Sequence, residues 1–164
     1  MNRRTSLWLC LALLSAAATA QQKDAAVKPP KTDLPYLLEA GKLIPTDAKP
    51  ATRSDSKDNQ TITVSGVTSS ARTPLPEPVF LFSPGQINPD QFELIHFQIV
   101  NGRRQWTKGQ HEHLNEDEPE EILRLTLRPL SENVIRIEAA QMLNPGEYAL
   151  IAQGQNTAFC FTVF

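Results

Sequence analysis

The chain has 164 residues, with 16 Lys+Arg against 18 Asp+Glu and only two cysteines. That balance excludes the basic footprint of a nucleic-acid binder and the polybasic patch that holds a protein to anionic lipid. The length suffices for one domain with a closed hydrophobic core.

Residues 1–20 read as a secretory signal peptide. Arg3 and Arg4 stand without an acid, residues 7–14 are apolar throughout, and Ala18 and Ala20 are the small residues of a cleavage site. The apolar run is too short to span a bilayer core, which takes roughly 20 apolar residues. The mature chain is therefore expected to start at Gln21 and to be exported, whether periplasmic, envelope-associated or secreted. No integral membrane segment is expected after cleavage. Cleavage also removes Cys10, which lacks the small preceding residues of a lipid-attachment site because Leu7-Trp8-Leu9 come before it. Cys160 is then alone, so no internal disulfide can form. Between Phe159 and Phe161 it reads as a buried, inert thiol, with a reactive or intermolecular thiol as the alternative.

Residues 21–59 read as a Pro-rich, partly extended leader, broken at Pro29-Pro30, Pro35, Pro45 and Pro50. Residues 48–59 are polar and charged and predict a solvated loop. The island from Leu34 to Ile44 is either a short hairpin turning at Ala40-Gly41 or a tether docking its Leu and Tyr side chains on the domain.

From residue 60 the period is two. Strands are predicted at 60–66, at 78–82 and at 92–100, the last with Ile95, Phe97 and Ile99 on one face. Asn101-Gly102 is a hairpin signal, since a type I′ turn needs positive φ at both positions. It returns the chain as a strand over 103–107 with Trp106 inward. Leu123, Leu125 and Leu127 alternate with polar residues, as do Ile135 and Ile137, with a turn at Ser131-Glu132-Asn133. That pairing sets Arg124 or Arg128 against Glu138 across the ladder. Strands at 147–152 and 158–164 complete the set, the last apolar on both faces and hence central or covered. The strand spacing suggests a sandwich or a barrel, and the predicted fold is all-β, an immunoglobulin-like antiparallel β-sandwich of about seven to eight strands over residues 60–164 with an extended N-terminal leader.

The most specific string is Asn144-Pro145-Gly146-Glu147-Tyr148-Ala149-Leu150. Gly146 ends a turn, and Tyr148 sits where a sandwich places the tyrosine whose hydroxyl returns to upstream backbone, the tyrosine corner. With Leu150 where a cysteine would stand, the string resembles a disulfide-free immunoglobulin-like or fibronectin type III-like domain. Together with the Leu/Tyr island, the Arg72-Thr73-Pro74-Leu75 step and the Phe159-Cys160-Phe161 strand, the chain resembles a group of uncharacterised exported bacterial β proteins. The resemblance implies a fold class and an envelope setting, and brings no catalytic residues.

His111-Glu112-His113, followed by the acids of 116–121, is the only dense run of ligand-type side chains. It reads either as a solvated acidic loop or as a site for zinc, copper or calcium. Its two-residue His spacing is not the helical i, i+4 pair of a zincin. His96 reads as a half-exposed strand residue. Arg103, Arg104, Trp106 and Lys108 form a basic–aromatic run that suits glycan or protein contact, or core packing of Trp106. No G-x-S-x-G elbow and no phosphate loop is present. No catalytic residue and no cofactor is expected. The function expected is a non-catalytic exported module binding protein or glycan. The alternatives are a metal-binding protein using the loop 111–121 and a structural subunit assembling through its leader.

Overall fold

Alternating side chains bury one face of a strand, and a strand that alternates between two apolar sets needs cover on both. A computed structural model describes residues 27–55, 60–108 and 122–164. Among them lie thirteen strands: β1 (Tyr36–Glu39), β2 (Lys42–Pro45), β3 (Asp47–Asp55), β4 (Gln60–Ser65), β5 (Arg72–Thr73), β6 (Val79–Phe82), β7 (Phe92–Val100), β8 (Arg103–Lys108), β9 (Ile122–Leu123), β10 (Leu125–Ser131), β11 (Val134–Ala139), β12 (Gly146–Ala152) and β13 (Thr157–Val163).

The predicted sandwich is wrong, although the all-β class is right. Strands β12, β13, β3, β4, β8 and β7 pair in that order, and β12 pairs again with β7, closing a six-stranded antiparallel barrel. A separate open sheet has the order β10-β11-β6-β1-β2. Alternation alone cannot distinguish the two designs, because a sandwich and a barrel both bury every second residue. What decides is whether the last strand finds the first, and the ring needs β3. Residues 48–59 were expected as a solvated loop, yet 47–55 form a nine-residue strand between β13 and β4. The boundary expected at residue 60 thus falls between two paired strands.

The barrel interior holds Ala51, Ile62, Val64, Ile95, Phe97, Trp106, Ala149, Ile151, Ala158 and Cys160. The other faces of β7, β12 and β13 carry Phe92, Leu94, Tyr148, Leu150, Phe159 and Phe161, which pack against Leu37, Phe80, Phe82 and Ile137 of the open sheet. This explains why the last strand is apolar on both faces: one fills the barrel and the other meets the sheet. Phe80 and Phe161 meet edge-to-face at 4.9 Å, as do Phe82 and Phe92 at 5.1 Å, a geometry that adds about 0.5–1.5 kcal/mol per pair beyond burial.

The Leu34–Ile44 island is a hairpin. Ala40 and Gly41 take φ of 47° and 77°, and Asn101-Gly102 take 50° and 72° in the turn predicted there, both matching a type I′ turn. The hairpin also docks, with Leu37 opposite Phe80 and Tyr36 opposite Leu81. Upstream, Asp33 fastens it. Its carboxylate accepts the backbone N–H groups of Gly85 (2.8 Å), Gln86 (2.8 Å) and Ile87 (3.0 Å), and its own N–H reaches Ser83 O. Burial works to raise the Asp33 pKa, but the three N–H groups outweigh it and hold the carboxyl below its ordinary value. Unfolded chains therefore take the proton first, and the stability from Asp33 is present above the ordinary carboxylate range and lost as pH falls through the lowered pKa. Asp33→Ala is expected to cost about 1–2 kcal/mol at neutral pH, a partly exposed carboxylate being worth less than a buried one. Urea titrations at pH 7 and pH 3 check this: the cost should shrink at the lower pH.

Candidate functional site

Among the described residues, three places concentrate polar chemistry, and strand parity decides which of them solvent can reach. On β8, Arg104 and Trp106 point into the barrel, while Arg103 and Lys108 are exposed. The basic–aromatic run of the sequence is thereby split, and no continuous surface patch forms. Arg104 is 1% exposed. Its Nη1 lies 3.5 Å from Glu147 Oε2 and donates to Ser69 Oγ, and its Nη2 donates to Ser65 O at 2.9 Å. Ser69 Oγ donates to Glu147 Oε2 at 2.9 Å, and Thr162 Oγ1 donates to Oε1 at 2.6 Å. The network ties the run after β4 to the barrel wall. It is satisfied except at Arg104 Nε, which has no hydrogen-bond partner among the described residues. Cys160 is buried in the same interior, and desolvation pushes its thiol up to about 12. A thiol so raised is not ionised near neutrality, which supports the inert reading over the reactive one.

The second place is the corner. Tyr148 Oη donates to Asn144 O at 2.8 Å, the return bond proposed from the sequence, here at the edge of a barrel. Burial raises the Tyr148 pKa. Its ring stacks on His96 (4.6 Å, 20° between planes) and on Phe161 (5.5 Å, 19°). Gly146 makes room for that stack, because a Cβ there would lie 2.5 Å from His96 Nε2. Tyr148→Phe is expected to lose about 1 kcal/mol, the net worth of one hydrogen bond, read as a lower denaturation midpoint with unchanged slope. Gly146→Ala is expected to cost about 1–3 kcal/mol by overpacking, and His96→Ala in the same chain should relieve most of it, as a double-mutant cycle will read. Burial also lowers the His96 pKa below its ordinary 6.5. The unfolded chain binds that proton more readily, so the stability from neutral His96 is full above about 6.5 and lost as pH falls toward the lowered pKa.

The third place is open. A groove of about 400 Å³ on the open sheet is lined by Glu77, Val79, Thr126, Arg128, Arg136, Glu138, Ala139 and Ala140. Register puts Arg128 directly opposite Arg136, and Glu138 between Thr126 and Val79. The predicted pairing of Arg124 or Arg128 with Glu138 does not form. Instead Arg136 Nη2 reaches Glu138 Oε1 at 2.8 Å along its own strand. The alternation of the sequence already sets Arg128, Arg136 and Glu138 on one face; what it does not reveal is that β6 lies beside β11 and brings Val79 and Glu77 to the same groove.

His111, Glu112 and His113 lie outside the described residues. Among the described residues no group of three or more His, Cys, Asp or Glu is placed to hold a metal, and no helix is long and apolar enough to cross a membrane. No family model, no curated protein and no solved structure matches the chain.

Proposed function

We propose that this protein is a non-catalytic exported binding module that contacts a protein or glycan partner through the groove on its open sheet. The observation that carries the reading is the contrast between its charged places. The Arg104–Glu147 network is sealed in the barrel with Ser69 and Thr162 as its partners, which suits holding the fold. The groove instead presents arginine and glutamate side chains around an open space large enough for a small ligand or a short segment of a larger one. Export rests on the signal-type residues 1–20.

The edges of the open sheet favour binding over assembly by strand addition. The edge strands are β10 and β2, and each contains a proline, Pro129 and Pro45. A proline can sit in a ladder only where no N–H is needed, so each edge lacks a donor that an incoming strand would use. The test is a peptide and glycan array probed with the wild-type chain and with Arg128→Glu. Selective binding lost in the variant is the expected result. Turnover of any hydrolase or redox substrate at enzyme-like rates would overturn the non-catalytic reading.

A further inference from the structure

The groove has a charge order that narrows its ligand, an inference resting on the binding-module reading above. At one end two arginines face each other across adjacent strands, Arg128 on β10 and Arg136 on β11. Like charges directly opposite weaken a ladder. Glu138 answers one of them, through Arg136. Arg128 is exposed and has no ion-pair or hydrogen-bond partner among the described residues, so that end keeps an unanswered guanidinium. At the other end Glu77 is exposed and likewise has no partner among the described residues. The lining between them is low: Thr126, Val79, Ala139 and Ala140.

A floor of small side chains admits an extended backbone, and none of the described lining residues has an aromatic ring on which a sugar would stack. Arg128 lies on β10, and Glu77 lies in the bend two residues before β6, two strands over from β10, so the groove runs between the two charges. Both residues line the groove, so a ligand that meets both carries its two charges with intervening residues between them. Guanidinium groups match a carboxylate in a planar fork, whereas a glutamate takes an ammonium or guanidinium.

We propose that the groove binds an extended peptide segment carrying an acidic and a basic side chain, the acid held by Arg128 beside Arg136 and the base by Glu77. A uniformly acidic partner would meet repulsion from Glu77 and Glu138, and a uniformly basic one from the arginine pair.

The experiment is an amide-shift titration of the exported chain with blocked peptides Ac-Asp-(Ala)n-Lys-NH2 of increasing spacer length, beside Asn/Leu controls and an oligogalacturonate. The expected result is movement of the Val79, Thr126 and Ala140 amides, with one spacer length binding best. Arg128→Ala should weaken that peptide about tenfold, the loss of one charge-assisted contact, and should not weaken its Asn control. Glu77→Gln should act in the same way on the lysine. Melting curves of both variants matching wild type would show that the fold is kept. Equal binding of charged and neutral peptides at these amides, or oligogalacturonate binding there in place of every peptide, would overturn the charge rule while keeping the groove as a binding surface. No movement of the groove amides with any probe would overturn the charge rule and the groove reading together.

Discussion

Glu147→Ala is expected to destabilise the protein by about 3 kcal/mol, at the lower end for breaking a buried ion pair because the Glu147 side chain keeps 10% exposure. The cost arises from what stays behind. Arg104 would remain walled into the barrel at 1% exposure, with its Nε already unpartnered and, among the described residues, Ser65 O and Ser69 Oγ left to accept from it. Thr162 and Ser69 would also lose the acceptor they share. Urea unfolding monitored by tryptophan fluorescence reads this directly, since Trp106 sits in the same interior. Replacing both charges, Arg104→Met with Glu147→Leu, should recover most of the loss, because an apolar pair of similar volume removes the desolvation cost. A single variant costing under about 1 kcal/mol would mean that water reaches the guanidinium.

Phe161→Ala is expected to cost about 3–5 kcal/mol, the range for emptying a fully buried aromatic site. Phe161 is completely buried, edge-on to Phe80 of the open sheet and stacked on Tyr148 of the barrel wall. It therefore joins the barrel to the layer outside it. Pairing it with Phe80→Leu in a double-mutant cycle should return about 0.5–1.5 kcal/mol of coupling. Near- and far-ultraviolet dichroism should lose signal together on heating if barrel and sheet unfold as one unit. Two separated transitions would show that this contact does not bind them.

Much of the strand pattern is legible in the residues. The Asn101-Gly102 turn, the inward Trp106, the corner bond of Tyr148 and the doubly apolar last strand all follow from period and turn chemistry, and the structure has each of them. The choice of barrel over sandwich is not legible, and β3 is the reason. Its partly buried positions include Asp47, Lys49 and Arg53 rather than aliphatic residues, so burial alternates along the strand while hydropathy does not. Without that strand the ring has a gap and a sandwich is the natural reading. Arg104 was misplaced for a related reason. Its parity with Trp106 marks it as inward, but an arginine between polar neighbours reads as surface until Glu147, far along the chain, is known to face it. The groove depends on β6 lying beside β11, a pairing between strands far apart in the chain that neither period nor turn chemistry reveals.

The pairing of β3 with β13 has a kinetic consequence. Asp47 lies beside Cys160, so the ring joins residues from near both limits of the described chain. No N-terminal fragment lacking β12 and β13 can contain it. Such non-local topologies carry high contact order and fold on the slow, millisecond-to-second side of the range. A chain emerging N-terminus first during synthesis would thus hold its local hairpins, β1–β2 and β7–β8, well before any barrel exists. During that interval the apolar residues of β7 are uncovered, and a holding chaperone would find its substrate there.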